Sequence, residues 1–448
     1  MSLQKKLQPV LSSLLTSDRL KNTKRYYHRV LHKLFNLPHG ADFYFRVDDP
    51  YSVLIMQMLP SIQRDFHIRV RPRIVLELPE EMHPGPEKLE QLSIRDAREL
   101  ARFYRLTFGY KKPPTKKSIG LATQVLLKNA HSSQFFKIAD SVVRATWGHD
   151  DNRLDKLAKI HGHVKETDTP KLLEENLVHL VSNGHYLSGT LHYDGEWYCG
   201  VDRIAHLTQR LAEQHLANRN VALSIYQKAY LDLHRSAPVK KLQEMEKPAL
   251  DFYFSFRSPY SYLALQRVYR LQHRYNLTVN IKPVLPMVMR GLPIPQDKRR
   301  YILLDTKREA DMHHIPFGKV CDPLSEGVER AMGIFMYAMG EGKTREYLLS
   351  ITRGVWAEGR DISDDKDMQL LIERADLDWD IASQYMYDEA WQPMAEQNRA
   401  DLNRLGLWGV PSFQFGDLAI WGQDRLWLLE QKICDLADES QAAKQATA

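Results

Sequence analysis

Cysteine is scarce in this chain: three in 448 residues, Cys199, Cys321 and Cys434, odd in number and far apart. That excludes a disulfide framework, a cysteine-based zinc cluster and a C-x-x-C redox pair. No stretch approaches the apolar length of a membrane span. The start, "MSLQKKLQPVLSSLLTSDRL", is interrupted by Gln8, Pro9, Ser12 and Ser13 and lacks a small-residue cleavage site, so it reads as an amphipathic helix. A cytoplasmic protein with no membrane partner is expected. Charge of one sign is also lacking. Lys plus Arg is 62 against 56 Asp plus Glu, and a net +6 over this length is too weak to imply nucleic-acid binding. The basic run from Lys111 to Lys117 reads as a solvated loop. His161/His163 and His313-His314 have no third ligand at suitable spacing, so no metal is expected.

What is present is a repeat. "DFYFRVDDPYS" at 42–52 returns as "DFYFSFRSPYS" at 251–261, with seven of eleven positions alike and the central four all different. The offset of 209 residues also pairs Asp96 with Asp305, Phe108-Gly109 with Phe317-Gly318, and Ser141, Arg144 and Trp147 with Ser350, Arg353 and Trp356. Later the offset is 222, where "GVDR" at Gly200 matches "GQDR" at Gly422, as one net insertion of 13 residues requires. Matches kept in order across a whole unit indicate a duplicated domain.

Each half shows an alternating strand, a Pro-containing turn and helix, and a second strand. A long helical stretch follows, then a hairpin, turned by Asp194-Gly195 or Gly416-Asp417, and a final helix. That is an α/β, thioredoxin-like plan with a large helical insertion in each copy. The expected divisions are a helical extension over 1–40, a first domain over 41–219 and a helical linker over 220–248. A second domain over 249–438 and a flexible tail over 439–448 complete the chain.

At "FYFSFRSPYSYLAL", "VWAEGRDIS" (355–363) and "LWGVPSFQFGDLAIWGQDRLWLLE" (407–430), the second half resembles the DsbA-like thioredoxin-fold superfamily. Within it the likeness is to 2-hydroxychromene-2-carboxylate isomerases and kappa-class glutathione transferases. The resemblance covers about the last 200 residues; the first half shares it only through the repeat. It implies glutathione as cosubstrate, with Ser258 bonding the sulfur. It also implies that a cis Val410-Pro411 pair holds the peptide backbone and that Gln423-Asp424 receives the γ-glutamyl end. In such an isomerase the thiolate adds to a conjugated substrate, a bond rotates, and the thiol is eliminated.

The residues themselves suit that chemistry. A thiol with an ordinary pKa near ~8.5 is mostly protonated at neutral pH, so catalysis needs something that favours the thiolate. Ser258 stands at a helix start, just before Pro259, where a hydroxyl can donate one hydrogen bond and the helix terminus adds partial positive charge. On these two residues alone a plain helix cap is the simpler reading; "GVPSF" and "GQDR" tip it toward function. In the first half Asp49 replaces the serine, and a carboxylate accepts but does not donate. Gly189 replaces Pro411, while Asp202 persists. The first copy is therefore expected to be degenerate.

Arg290 is a candidate for a substrate carboxylate and Trp356 for substrate contact, though a solvated arginine and a core tryptophan are the plainer readings. Cys321 is expected to be a small buried side chain. The expected substrate is small and conjugated or electrophilic. The chain is expected to act as a monomer, an internal pseudo-dimer, or as a homodimer. Two rival readings remain: a DsbA-type thiol-disulfide oxidoreductase, which Ser258 at the nucleophile's position disfavours, and a thioredoxin-fold binding protein without activity.

Overall fold

A computed structural model describes residues 3–79, 86–218, 221–228, 246–291 and 294–446. The chain divides into two compact units. The N-terminal unit comprises Thr23–Leu231 and Pro295–Tyr301; the C-terminal unit comprises Met1–Asn22, Asp232–Ile294 and Ile302–Ala448. Most of the expected linker lies outside the described residues.

Before the first sheet the chain forms α1 (Leu3–Leu15) and α2 (Asp18–Leu34). The N-terminal unit is then built on β1 (Gly40–Phe45), α3 (Pro50–Asp65) and β2 (Arg69–Ile74). A helical insert follows: α4 (Pro86–Tyr104), α5 (Lys116–Asn129), α6 (Phe135–Trp147), α7 (Asp151–His161) and α8 (Thr169–Ser182). The hairpin β3 (Thr190–Tyr193) and β4 (Glu196–Cys199) and the helix α9 (Ile204–Glu213) close it. The strand order is β2-β1-β3-β4, with β1 parallel to β2 and antiparallel to β3.

The C-terminal unit repeats this plan. It contains β5 (Leu250–Phe254), α10 (Pro259–Tyr275) and β6 (Val279–Pro283). The insert holds α11 (Gln296–Met312), α12 (Glu326–Gly340), α13 (Thr344–Arg353), α14 (Asp365–Arg374), α15 (Trp379–Tyr385) and α16 (Trp391–Arg404). The hairpin is β7 (Ser412–Phe415) and β8 (Leu418–Trp421), and α17 (Leu426–Ala446) runs on through the stretch expected as a tail. The sheet order, β6-β5-β7-β8, is that of the first unit. Alternation puts Phe252 and Phe254, like Phe43 and Phe45, on one face of each central strand and Tyr253 and Tyr44 on the other, and all six are buried because both faces of the sheet are covered.

The duplication extends to individual hydrogen bonds. The indole of Trp147 donates to the Val47 carbonyl (2.8 Å) and that of Trp356 to Phe256 (3.2 Å). Tyr51 donates to Asp96 (2.8 Å) and Tyr260 to Asp305 (2.7 Å). Asn176 caps the Ile74 carbonyl and Asn398 that of Pro283, both at 2.9 Å. Each residue pair stands at one of the two offsets of the repeat, 222 for the asparagines and 209 for the rest.

The first helix docks with its polar side inward. Gln8 Oε1 accepts from the Asp322 amide (2.9 Å), and Ser12 Oγ from the Val320 amide (2.8 Å). Thr16 reaches the Gly318 carbonyl (3.3 Å), while Leu7, Val10, Leu11 and Leu14 remain exposed. The loop at 318–322 presents backbone groups that need polar partners, and a helix supplies them at i, i+4 and i+8. Lys5 adds an ion pair to Asp361 (3.3 Å), which also accepts from the Ser363 amide and hydroxyl (3.0 and 2.6 Å).

Burial pushes the Asp361 carboxyl up, but the Ser363 bonds and Lys5 together hold it below the ordinary carboxylate value. A depressed folded-state pKa contributes stability that is complete above the unfolded value near ~4 and is lost as pH falls through the folded one. Protection factors of the α1 amides, corrected for the intrinsic pH dependence of exchange, should therefore be constant from neutrality to about pH 5 and fall at more acid pH. Equal protection at neutral and strongly acid pH would show that this carboxylate does not anchor the helix.

Candidate functional site

Four turn residues join β5 to α10, and each has a hydrogen-bond partner within the C-terminal unit. The Ser255 amide donates to Ser261 Oγ (3.4 Å), and the Phe256 carbonyl accepts from Trp356. Arg257 makes a two-pronged ion pair with Asp322, both bonds at 2.7 Å. Ser258 caps α10: its Oγ accepts from the Ser261 amide (3.1 Å), and Pro259 occupies the first helical position. An N-cap serine followed by proline is a strong helix start, since proline lacks the N–H that would be orphaned there.

Across from the cap runs the 407–411 segment, with a cis Val410-Pro411 bond. Ser258 Oγ donates to the Val410 carbonyl at 3.4 Å, near the outer limit of a hydrogen bond. Its proton is thus weakly engaged and can turn to a better acceptor, beside the positive end of a 17-residue helix. Gly409 faces the Trp421 ring so closely that a Cβ there would overlap it, which fixes the approach of this segment to the hairpin.

The remaining candidates separate. Gln423 is buried: its amide donates to Glu309 Oε2 (2.8 Å), and Arg267 donates to its carbonyl (2.6 Å) and its side-chain oxygen. Its side chain thus belongs to an internal network. Asp424 is more open, its carboxylate 24 % exposed and 3.5 Å from Arg425. Arg290 donates to the Trp408 carbonyl (3.0 Å). Burial lowers its pKa, with Arg399 adding repulsion. Its Nε and the Trp408 Nε1 are buried donors with no hydrogen-bond partner among the described residues. Such orphans around Trp408, two residues before Val410 in the chain, suit an anionic ligand. Trp356 lies in the core, stacked on Phe317 (6.3 Å, 13°), and braces the turn. Cys321 is buried, its thiol pushed up to about 12, mainly by that burial.

The matching place in the N-terminal unit is filled from within. Asp49 caps α3, accepting from the Tyr51 and Ser52 amides (3.0 and 3.2 Å) and from the Ser52 and Ser188 hydroxyls (2.7 and 2.8 Å). Four donors saturate the carboxylate. Gly189, at φ +60°, lies against it: a Cβ there would come within 2.9 Å of Asp49 Oδ2.

The profile of the DSBA-like thioredoxin domain matches residues 249–434. A 2-hydroxychromene-2-carboxylate isomerase of Pseudomonas putida is 31 % identical over 192 residues, which cover 40 % of this chain and 92 % of that protein. The chain belongs to the 2-hydroxychromene-2-carboxylate isomerase family. Another member, from Pseudomonas sp. (strain C18), is 29 % identical over 41 % of this chain and 89 % of its own length. A solved isomerase of that name is 26 % identical over 44 % of this chain and 98 % of its own, with a TM-score of 0.39.

For this family member the sequence missed two features around the turn. One is the Arg257–Asp322 ion pair, between residues 65 apart with no local pattern. The other is the Arg267–Gln423–Glu309 network. The Tyr260–Asp305 bond did leave a signal, because Asp96 and Asp305 share the repeat offset. No helix among the described residues is long and apolar enough to cross a membrane.

Proposed function

We propose that the C-terminal unit is a glutathione-dependent isomerase or transferase site of the 2-hydroxychromene-2-carboxylate isomerase type. The observation that carries this reading is Ser258: a helix-capping hydroxyl whose proton has only a 3.4 Å acceptor, in a chain of that family. The orphaned donors of Arg290 and Trp408 fit an anionic ligand such as glutathione, which when bound supplies the thiol nucleophile.

Ser258 donates its proton toward the sulfur, and the N-terminus of α10 adds favourable potential, so the thiolate is populated at neutral pH. The backbone of Val410, next to Pro411, pairs with the extended peptide. Asp424 accepts from the ammonium end, while Gln423 holds the start of that helix through Glu309 and Arg267. Arg290 receives a carboxylate of a small conjugated or electrophilic substrate. Dithiol exchange is disfavoured, because Ser258 is no thiol and Cys321 is buried and weakly acidic. The N-terminal unit, its cap saturated by Asp49, takes no part in binding. The cytoplasm suits a chain with only three cysteines, far apart in the sequence, and a chain with two like domains acts as a monomer or a homodimer.

Isothermal titration of the full chain with glutathione tests this. One equivalent per chain is expected, with the bound thiol titrating below its ordinary value near ~8.5. No binding, or an unshifted thiol, would remove the proposal, and two equivalents would contradict the degenerate first copy.

A further inference from the structure

Three side chains of the N-terminal unit converge without any role in the reaction proposed above. His32 lies in the last turn of α2, His39 just before β1, and Asp194 at the turn of the β3–β4 hairpin. One ligand atom of each lies within 4.8 Å of the others. The rings stack, with centroids 4.1 Å apart and 24° between planes.

The surrounding hydrogen bonds decide which ring nitrogens face inward. The Tyr193 hydroxyl donates to Gln214 Oε1 (2.7 Å), so its oxygen is left to accept from His39 Nδ1 (2.9 Å). His39 therefore carries its proton on Nδ1 and keeps a lone pair on Nε2. His32 Nδ1 faces the Leu37 carbonyl at 3.0 Å, an obligate acceptor, and so is also a donor. Its Nε2 meets Asp194 Oδ1 at 3.0 Å, a contact that needs positive charge between the two atoms, either the second proton of an imidazolium or a metal ion in its place. The Asp194 side chain is nine-tenths buried, and among the described residues its Oδ2 meets no hydrogen-bond donor in bonding geometry. Arg210, 3.9 Å from that oxygen, is committed to the Tyr193 carbonyl (2.9 Å) and to Glu196 (3.4 Å), which Arg25 also pairs (2.7 Å).

His32, held at Nδ1 by a carbonyl with Nε2 turned toward a carboxylate, is in the arrangement in which imidazole binds metal, and His39 is likewise held at Nδ1, by the Tyr193 hydroxyl oxygen. We propose that His32, His39 and Asp194 bind a divalent transition-metal ion, zinc by preference, that ties the end of α2 and the start of β1 to the β3–β4 hairpin. Two imidazoles and one carboxylate suit zinc, whereas magnesium and calcium prefer oxygen alone. Ligand atoms around tetrahedral zinc lie about 3.4 Å apart, so binding closes the widest spacing of the trio by roughly 1 Å and slightly opens the 3.0 Å His32–Asp194 contact. Local spacing in the sequence gives no sign of the site, because its ligands come from a helix, a loop and a distant hairpin.

The test uses the full chain, stripped by chelator and titrated with Zn²⁺ by calorimetry and with Co²⁺ by visible absorption. One equivalent should bind to the wild type. His39→Ala and Asp194→Asn should each lose it, and His131→Ala, at an exposed site in the same unit, should keep it. Tyr193→Phe, which removes the oxygen that holds His39, should weaken binding about 10-fold or more. The wild-type Co²⁺ complex, which needs no variant to fold, should show the intense bands of a four- or five-coordinate ion. Absence of binding, the weak spectrum of hydrated Co²⁺, or stoichiometry unchanged in His39→Ala would overturn the assignment.

Discussion

Ser258→Ala should lower turnover of a 2-hydroxychromene-2-carboxylate-type substrate by about 10²- to 10³-fold, the usual loss when one donor to a developing anion is removed. The physical reason is specific to this hydroxyl. It already accepts from the Ser261 amide, so its one proton is all it can offer, and its present acceptor lies 3.4 Å away. The same substitution removes a helix cap, at about 1 kcal/mol. Ser258→Asp separates the two roles. Asp49 caps α3 in the first copy, so aspartate should preserve stability at position 258. It should still abolish turnover, because a carboxylate has no proton for sulfur and repels a thiolate. Rates at saturating glutathione and denaturant midpoints of the three proteins decide the matter. If Ser258→Ala retains its rate within about twofold, the hydroxyl is a cap and nothing more.

Asp49→Ala should destabilise the protein by about 3 kcal/mol while leaving turnover unchanged. Losing the cap accounts for about 1–2 kcal/mol, and the buried hydroxyls of Ser52 and Ser188 left without their acceptor add about 1–3 kcal/mol. Asp49→Asn, which keeps a capping oxygen but brings an unwanted donor toward those hydroxyls, should fall between. Urea midpoints measure the first effect and steady-state rates the second. A loss of turnover in Asp49→Ala at a temperature where the protein is folded would contradict the view that the first copy has no catalytic part.

These two expectations rest on one sequence difference, and the structure explains why it matters. "SFRS" and "RVDD" fill the same turn between the same strand and helix. In the C-terminal unit the 407–411 segment faces the cap across a long hydrogen bond. In the N-terminal unit Gly189 lets the chain come so near Asp49 that no Cβ would fit between them. Restoring serine at 49 would leave that place filled.

The sequence by itself determined the duplication, the thioredoxin-like plan with its inserts and the position of Ser258 at a helix start. It did so because strand alternation, caps and turns are local, and two copies of one plan reinforce each other at a fixed offset. Tertiary structure alone decided which side of α1 faces inward. The apolar stripe suggests its own burial, but the backbone groups of the 318–322 loop needed hydrogen bonds, and an unpaired buried amide costs more than an exposed leucine. It also drew Gln423 into a buried network beside the more open Asp424, and it brought His32, His39 and Asp194 together. Those outcomes depend on groups far apart in the chain meeting in space, a property that residue spacing does not record.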